Sequence, residues 1–142
     1  MKLVVDINVL VSGSLWSGNP SRLVDAVLGG AATLCASAAV LAEFEEVIQR
    51  EKFKGRLEQS GRSAHELISG FRAAALIVEA HPIPAPAALR DPDDIHLLAC
   101  ASAARADAIV TGDNDLLSLK TYQGIPILEV RQALERLGFA AA

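Results

Sequence analysis

The chain has 142 residues, of which 51% are hydrophobic and 21% are charged, and it carries a formal net charge of −4. This composition predicts one folded domain over residues 1–142 and excludes an intrinsically disordered chain. Aromatic residues make up only 4% of the chain. Together with the acidic balance, this argues against base stacking on an aromatic platform and against a generally basic nucleic-acid surface.

Strand and helix signals alternate along the chain. Five short apolar runs predict strands: KLVVD (2–6), ATLCA (32–36), ALIVEA (75–80), DAIVT (107–111) and IPILE (125–129). Helices are predicted over about 19–28, 38–51, 52–75, 92–104 and 130–138. Strands that lack period-two alternation and alternate with helices are typical of a parallel sheet covered on both faces. We therefore expect an α/β fold.

Polar residues and prolines mark the predicted helix starts. Asn19 stands ahead of Pro20 as a candidate cap, Ser37 caps the helix after the second strand, and Ser63 with Glu66 has the spacing of a capping box. The stretch HPIPAPAALR is expected to be an extended loop, because its closely spaced prolines exclude a regular element.

The cysteines and the absence of long apolar runs indicate the cellular compartment. Cys35 and Cys100 lie in apolar runs without the spacing of a metal or redox pair, so we expect buried, reduced thiols. His96, inside an apolar helix, is expected to be a core histidine rather than a base. We expect neither a signal peptide nor a membrane span, since no apolar run approaches about 20 residues. A reducing cytoplasm fits these features.

Two carboxylates stand where predicted strands end. Asp6 closes the first strand and Asp113 follows the fourth. Ligand sites of open parallel sheets lie beyond the carboxyl ends of the strands, so both side chains would face one crevice if these strands are neighbours. The alternative is turn chemistry, with an Asx-turn at Asp6 and a Gly-Asp-Asn turn at Asp113, where Asp115 could cap the next helix.

Two helices contribute further acids. In the predicted 38–51 helix, Glu43 and Glu45 lie about 100° to either side of the centre of the apolar stripe, which leaves them tied as residues that could reach a cleft. Asp91 and Asp94 fit the N-cap and N3 positions of the 92–104 helix, which is a structural reason for acids there. Because that helix is apolar nearly all round, we expect its N-terminus to open onto a cleft.

Four segments together resemble the PIN-domain family, and within it the VapC-like toxin components of prokaryotic toxin–antitoxin pairs. These segments are MKLVVDINVLVSGSLW, SAAVLAEFEEVIQREKF, LRDPDDIHLLACA and ADAIVTGDNDLL. The resemblance runs from residue 2 to about residue 130, and the order and spacing of the motifs make it specific. It implies a Rossmann-like three-layer α/β/α sandwich with a five-stranded parallel sheet. It also implies a metal-dependent endoribonuclease silenced by a cognate antitoxin.

By motif position, the resemblance implies catalytic and metal-binding roles for four acids, and it favours Glu43 over Glu45. These four are Asp6, Glu43, Asp94 and Asp113. All-oxygen ligation selects a hard cation, so the expected cofactor is Mg²⁺ or Mn²⁺. Candidates to support these ligands through hydrogen bonds are Asn8, Ser12, Thr111 and Asp115.

A basic stretch beside the Glu43 helix is a candidate RNA contact. Between Arg50 and Arg62, five basic residues stand against two acids, which gives a local net charge of +3. The candidate contacts are Arg50, Lys52, Lys54 and Arg56. A solvated helix face would give the same pattern.

The apolar residues within 63–78 favour a homodimer, which the resemblance to the family also implies.

Two other functions remain compatible with the sequence. The family commonly reads Asp-Thr-Asn at the first motif, whereas this chain reads Asp6-Ile7-Asn8. The missing hydroxyl favours a catalytically weak or inactive PIN-like module that binds RNA or a protein partner. A phosphotransferase with Asp6 as nucleophile usually has a second acid two residues later, where this chain has Asn8. Serine or cysteine covalent catalysis is unsupported, because no nucleophile motif is present.

Overall fold

The computed structural model describes residues 1–87, 89 and 91–139. Its strands are β1 (Lys2–Val5), β2 (Thr33–Ala36), β3 (Leu76–Ile77), β4 (Ala108–Val110), β5 (Thr121–Tyr122) and β6 (Ile125–Leu128). They form one sheet in the order β3-β2-β1-β4-β6-β5. Five strands pair in parallel, and only β5 is antiparallel. The predicted α/β fold with five parallel strands is therefore confirmed.

Strand β5 is an addition to the predicted sheet. Thr121 and Tyr122 pair with Pro126 and Ile125 in a hairpin, and the turn residues Gln123 and Gly124 have φ angles of 51° and 77°. A tight two-residue hairpin turn needs positive φ at both positions, which glycine adopts readily. The strand is too short to produce an apolar run, so the sequence gives little signal for it.

Eight helices occupy the described part of the chain. They are α1 (Ile7–Leu15), α2 (Asn19–Leu28), α3 (Ala38–Ile48), α4 (Glu51–Ser60), α5 (Ala64–Ala74), α6 (Pro92–Ala104), α7 (Asn114–Ser118) and α8 (Val130–Arg136). The Ser37 cap and the Ser63–Glu66 capping box are confirmed. Asn19 is the first residue of α2 rather than its cap, a position that Gly18 takes.

Helix α1 is missing from the sequence predictions. Seven of its nine residues are buried, so apolar side chains lie on all sides of the helix and no amphipathic stripe marks it. The helix begins directly after Asp6, whose side chain accepts a hydrogen bond from the Asn8 N–H. One residue therefore ends β1, caps α1 and turns the chain.

The two central strands carry the core. Leu3, Val4, Ile109 and Val110 are all fully buried, as expected for strands covered on both faces. Helix α6 packs against β1 and β2, whereas α8 packs against β4 and β6. Residues 81–87 and 89 form neither helix nor strand, in agreement with the predicted loop, while Ala88 and Arg90 lie outside the described residues.

Three single-residue predictions are tested by this packing. Cys35 and Cys100 are buried and unpaired, and burial raises the pKa of both thiols, as expected for reduced core cysteines. The prediction for His96 is wrong: its side chain is exposed, because the few polar positions of α6 lie toward solvent. Among the described helices, none combines the length and apolarity that crossing a bilayer requires.

Candidate active site

The first candidate acid, Asp6, is held at the junction of β1 and β4. Its N–H donates to the Val110 carbonyl at 2.8 Å, which extends the pairing of these adjacent strands by one residue. Its Oδ1 accepts a hydrogen bond from the Asn8 N–H at 3.1 Å, and Oδ2 accepts one from the Thr111 hydroxyl at 2.7 Å. The first and fourth predicted strands are thus neighbours, which is the condition under which Asp6 and Asp113 would face one crevice.

Asp113 lies at the same carboxyl ends of the strands and is linked to Asp6 by Thr111. The Thr111 N–H donates to the Leu128 carbonyl at 3.0 Å, and its hydroxyl accepts a hydrogen bond of 3.0 Å from the Asp113 N–H. Asp113 is the N-cap of α7, and its Oδ1 accepts a bond from the Asp115 N–H. Capping of this helix by Asp115, the alternative from turn chemistry, is therefore wrong.

Asp94 lies in the first turn of the buried helix α6. Asp91 caps this helix by accepting a hydrogen bond from the Asp93 N–H, and Pro92 follows it. Asp94 is only 9% exposed, so the N-terminus of α6 places a nearly buried carboxylate beside the strand ends. The predicted cap is confirmed, and the cleft predicted at this helix terminus is present.

The structure separates Glu43 from Glu45. Glu43 is partly buried and lines the cleft, whereas Glu45 forms an exposed ion pair of 3.1 Å with Arg72. The difference arises because α5 packs against one side of α3 and supplies Arg72 there. The helix phase alone could not reveal which side α5 would occupy.

The four acids surround a small polar cavity. A cavity of about 50 Å³ is lined by Asp6, Asn8, Glu43, Asp91, Asp93, Asp94 and Asp113, with Ile7 and Leu97. A wider cleft of about 470 Å³ shares Asp6, Asn8 and Asp113 and extends past Ser12 and Gly112. A larger, mostly apolar groove of about 490 Å³ lies between α3, α6 and residues 78–83, and none of the four acids lines it.

Burial and mutual repulsion favour protons at this cavity. Desolvation, followed by the charges of Asp93, Asp6 and Asp91, raises the pKa of Glu43 to about 7. Desolvation, followed by the charges of Asp113, Asp91 and Asp6, raises the pKa of Asp94 to about 6. No lysine or arginine is among the described residues that line the cavity. Within the described part of the chain, no side chain that lines the cavity therefore compensates the negative charge of the acids.

Sequence comparison shows the family of the chain. A family model for the PIN domain matches residues 2–115, which is most of the chain. The chain belongs to the PIN-domain family. The resemblance indicated by the four motifs is thus confirmed at the level of the family.

The fold comparison agrees with this assignment. The PIN domain is similar to a chain in the crystal structure of VapBC2 from Rickettsia felis bound to a DNA fragment from their promoter, with a TM-score of 0.57 and 16% sequence identity. The match covers 91% of this chain and 98% of that chain. At this identity, the likeness concerns the fold. No curated protein matches the chain significantly in sequence.

The donor set of this PIN domain fits a hard divalent cation in chemical type. Within residues 1–87, 89 and 91–139, no three His, Cys, Asp or Glu side chains are placed as a ready-made cage for a metal ion. A closed cage is not required by Mg²⁺, which keeps several waters and uses one or two protein carboxylates. Asp6 and Asp94, which both line the cavity, could supply these carboxylates.

The candidate supporting residues of the PIN domain have different positions. Thr111 is fully buried and bonds Asp6 directly, Asn8 and Ser12 line the wider cleft, and Asp115 is exposed. Ile7 is 2% exposed and belongs to the core. The hydroxyl beside Asp6 thus comes from Thr111 rather than from the residue after Asp6.

Two further acids were not proposed as site residues from the sequence. Asp91 and Asp93 both line the small cavity and contribute to the raised pKa of Glu43. Their helix-capping pattern explained them without a site. The signal that could have identified them is the density of acids in RDPDD, which exceeds what one cap needs.

The basic residues of α4 and its start lie to one side of the cleft. Arg50 pairs with Glu46 at 2.8 Å, which raises its pKa, and the charges of Asp93 and Glu43 raise that pKa further. Arg56 donates to the Leu15 carbonyl at 2.7 Å, whereas Lys52 and Lys54 are exposed. The predicted basic stretch therefore begins at Arg50, near the acids, and continues to Arg56, at the end of α1 that is far from Asp6.

Proposed function

We propose that this PIN domain is a metal-dependent endoribonuclease and the toxin of a toxin–antitoxin pair. The observation that carries the proposal is the convergence of Asp6, Glu43, Asp94 and Asp113 on one cavity. The described residues that line this cavity include no lysine or arginine. Such a cluster repels the phosphates of a nucleic acid. It becomes useful for phosphodiester hydrolysis when a divalent ion neutralises it.

The proposal assigns a role to each of the four acids. Asp6 and Asp94 are the main ligands of Mg²⁺ or Mn²⁺, and Asp113 is a ligand directly or through water. Glu43, whose raised pKa favours proton exchange near neutrality, is a ligand or positions the attacking water. The bound ion would supply charge neutralisation and activation of water. Thr111 and the Asn8 N–H orient the Asp6 carboxylate.

The decisive experiment compares two Asp→Asn variants in a cleavage assay. Asp6→Asn removes a charge from the cavity, and Asp25→Asn removes one from an exposed position on α2. With mixed structured RNAs and Mg²⁺ or Mn²⁺, we expect cleavage by the wild type and Asp25→Asn but not by Asp6→Asn. EDTA should abolish cleavage by the wild type and by Asp25→Asn. A circular RNA distinguishes internal cleavage from digestion at ends.

Equal cleavage by the wild type and Asp6→Asn would overturn the assignment. RNA that stays intact after prolonged incubation of the wild type with Mn²⁺, although it binds, would favour the non-catalytic PIN-like module. A phosphoryl group trapped on Asp6 would favour the phosphotransferase.

A toxin role requires a protein partner and a cellular RNA. We propose a cognate antitoxin, a cytoplasmic site of action and a homodimer. The R. felis fold neighbour belongs to a VapBC2 assembly, which supports a partner protein. The edge strand β3 leaves Leu76 and Ile77 exposed, which supports an interface. Light scattering tests the dimer, and growth arrest that a co-expressed upstream gene product relieves tests the toxin role.

A further inference from the structure

A partly exposed aromatic cluster lies at the end of α1 opposite Asp6. Trp16, the single tryptophan of the chain, is 43% exposed and packs edge-to-face on Phe53, with ring centroids 6.1 Å apart. The Arg56 guanidinium lies 5.4 Å from the centre of the Trp16 ring, and Lys52 Nζ lies 5.0 Å from that of Phe53. We call these four residues the aromatic–basic cluster.

Two hydrogen bonds of Arg56 help to hold the cluster in place. Arg56 Nε donates to the Leu15 carbonyl at 2.7 Å, and Nη1 donates to Gln59 Oε1 at 3.1 Å. These bonds fix the guanidinium and join α4 to the end of α1. A cluster that served only to attach α4 would be expected to bury its largest ring, yet almost half of Trp16 remains open to solvent.

Charge around the cluster favours an anionic ligand. The protein carries −4 overall, but residues 50–62 carry five basic residues against two acids. The cations nearest the two rings, Lys52 and Arg56, combine positive charge with π faces, the pairing that single-stranded nucleic-acid sites use. A protein surface for an acidic peptide would share the charge but would not require a partly exposed tryptophan ring.

The cluster is within reach of the acidic cavity. Helix α1 has nine residues and separates Asp6 at its N-terminus from Trp16 at its C-terminus, so it is about 13 Å long. A few nucleotides of RNA span this distance. The basic stretch begins at Arg50, two residues after the end of α3, the helix that carries Glu43.

We propose that Trp16 and Phe53 form a stacking platform for unpaired bases that flank the cleavage site, with Lys52 and Arg56 neutralising the adjacent phosphates. Such a platform accepts only bases that are unpaired next to the scissile bond, because paired bases present no free face to a ring. The inference rests on the proposed ribonuclease function for its substrate. The low aromatic content is no obstacle, since two rings suffice.

Trp16 fluorescence provides a direct test in the full-length protein without divalent ions. We expect a 10-nucleotide single-stranded RNA in EDTA and low salt to quench Trp16 emission, and the same sequence in a duplex to leave it nearly unchanged. Anisotropy of labelled RNA then compares variants. Trp16→Leu should weaken single-strand binding roughly 5-fold to 100-fold, the range for loss of one stacked base, whereas Trp16→Phe should retain most of it.

Phe139→Leu is the matched control, because Phe139 is 40% exposed and lies near α2 beside Arg22 and Asp25. Its affinity for RNA should equal that of the wild type. Equal affinity of Trp16→Leu and the wild type, or equal quenching by single strand and duplex, would overturn the platform. Quenching of Trp16 emission by a co-expressed protein partner, with no quenching by RNA, would also overturn the platform. Because no cleavage is measured, these outcomes are independent of the proposed ribonuclease activity.

Discussion

The Thr111 hydroxyl donates a hydrogen bond of 2.7 Å to Asp6 Oδ2 and accepts one of 3.0 Å from the Asp113 N–H. Thr111 and Asp6 are 105 positions apart in the chain, and they meet because β1 and β4 are neighbouring parallel strands. The fully buried Thr111 thus links two of the four acids. The Asn8 N–H holds the other oxygen of Asp6, so the orientation of this carboxylate is well determined.

Thr111→Val should therefore impair both stability and activity. The substitution keeps the shape of the side chain but leaves the Asp113 N–H without its acceptor. We expect the free energy of unfolding to fall by about 1–2 kcal/mol in urea titrations. We also expect RNA cleavage to fall about 10-fold to 100-fold, as for other groups that orient a metal ligand. Thr111→Ser, which keeps the hydroxyl, should stay close to the wild type; unchanged cleavage by Thr111→Val would refute the orienting role.

Glu43→Gln and Glu45→Gln form a matched pair that tests the separation of the two glutamates. Both remove one charge from α3, but only Glu43 lines the acidic cavity. Glu43→Gln should abolish most cleavage, whereas Glu45→Gln should retain it and lose only an exposed ion pair with Arg72, worth about 0–1 kcal/mol. Cleavage assays and urea titrations on both variants check this. Similar activity of the two variants would exclude a special role for Glu43.

The metal-free protein should lose stability as the pH rises from about 4 to about 7. The pKa values of Glu43 and Asp94 are raised from 4.5 and 3.8 to about 7 and about 6. The folded state therefore keeps protons that the unfolded state releases in this range, so deprotonation favours unfolding. Because Glu43 is partly exposed, solvent screening limits its contribution to on the order of 1–2 kcal/mol.

Melting temperatures in EDTA across this pH range measure the effect. Glu43→Gln should flatten the decline and raise the melting temperature at pH 8, since it removes an uncompensated charge. Mg²⁺ or Mn²⁺ should restore stability at high pH in the wild type by neutralising the cluster. A melting temperature that rises with pH in EDTA would contradict the charge repulsion inferred for the cavity.

The sequence predicted the positions of the candidate acids better than it predicted the path of the chain around them. Asp6 and Asp113 follow buried strands, and Asp94 opens a helix with a recognisable cap, so local rules placed all three near strand ends. Local rules failed where packing partners decide the outcome. The exposure of His96 and the pairing of Glu45 with Arg72 depend on which helix covers which side, and no local pattern encodes that.

Helix α1 shows the same limit for secondary structure. Its residues are apolar on every side because it packs against α2, α3 and α4, so the helical period that would reveal it is absent. Asp6 is the one local signal for this helix. The sequence is compatible with a turn residue or a ligand at this position, and in the structure Asp6 both caps α1 and lines the cavity.

Gly13 controls how closely α1 approaches α2, and its substitution gives the last prediction. A Cβ atom at Gly13 would lie 2.4 Å from the Pro20 carbonyl oxygen and 2.5 Å from Val24 Cγ2. Since backbone cannot yield as a flexible side chain can, Gly13→Ala should force α1 and α2 apart and cost about 1–3 kcal/mol of stability or more. Because Asp6 caps α1, cleavage should fall as well.

Gly55→Ala is the matched control, since Gly55 also lies within a helix but has open space around its Cα. Alanine is the better helix former, so this variant should be more stable than the wild type by about 0.5–1 kcal/mol. Urea titrations of the two variants should therefore shift in opposite directions. If Gly13→Ala were also stabilising, the close contact between α1 and α2 could not be a feature of the folded protein.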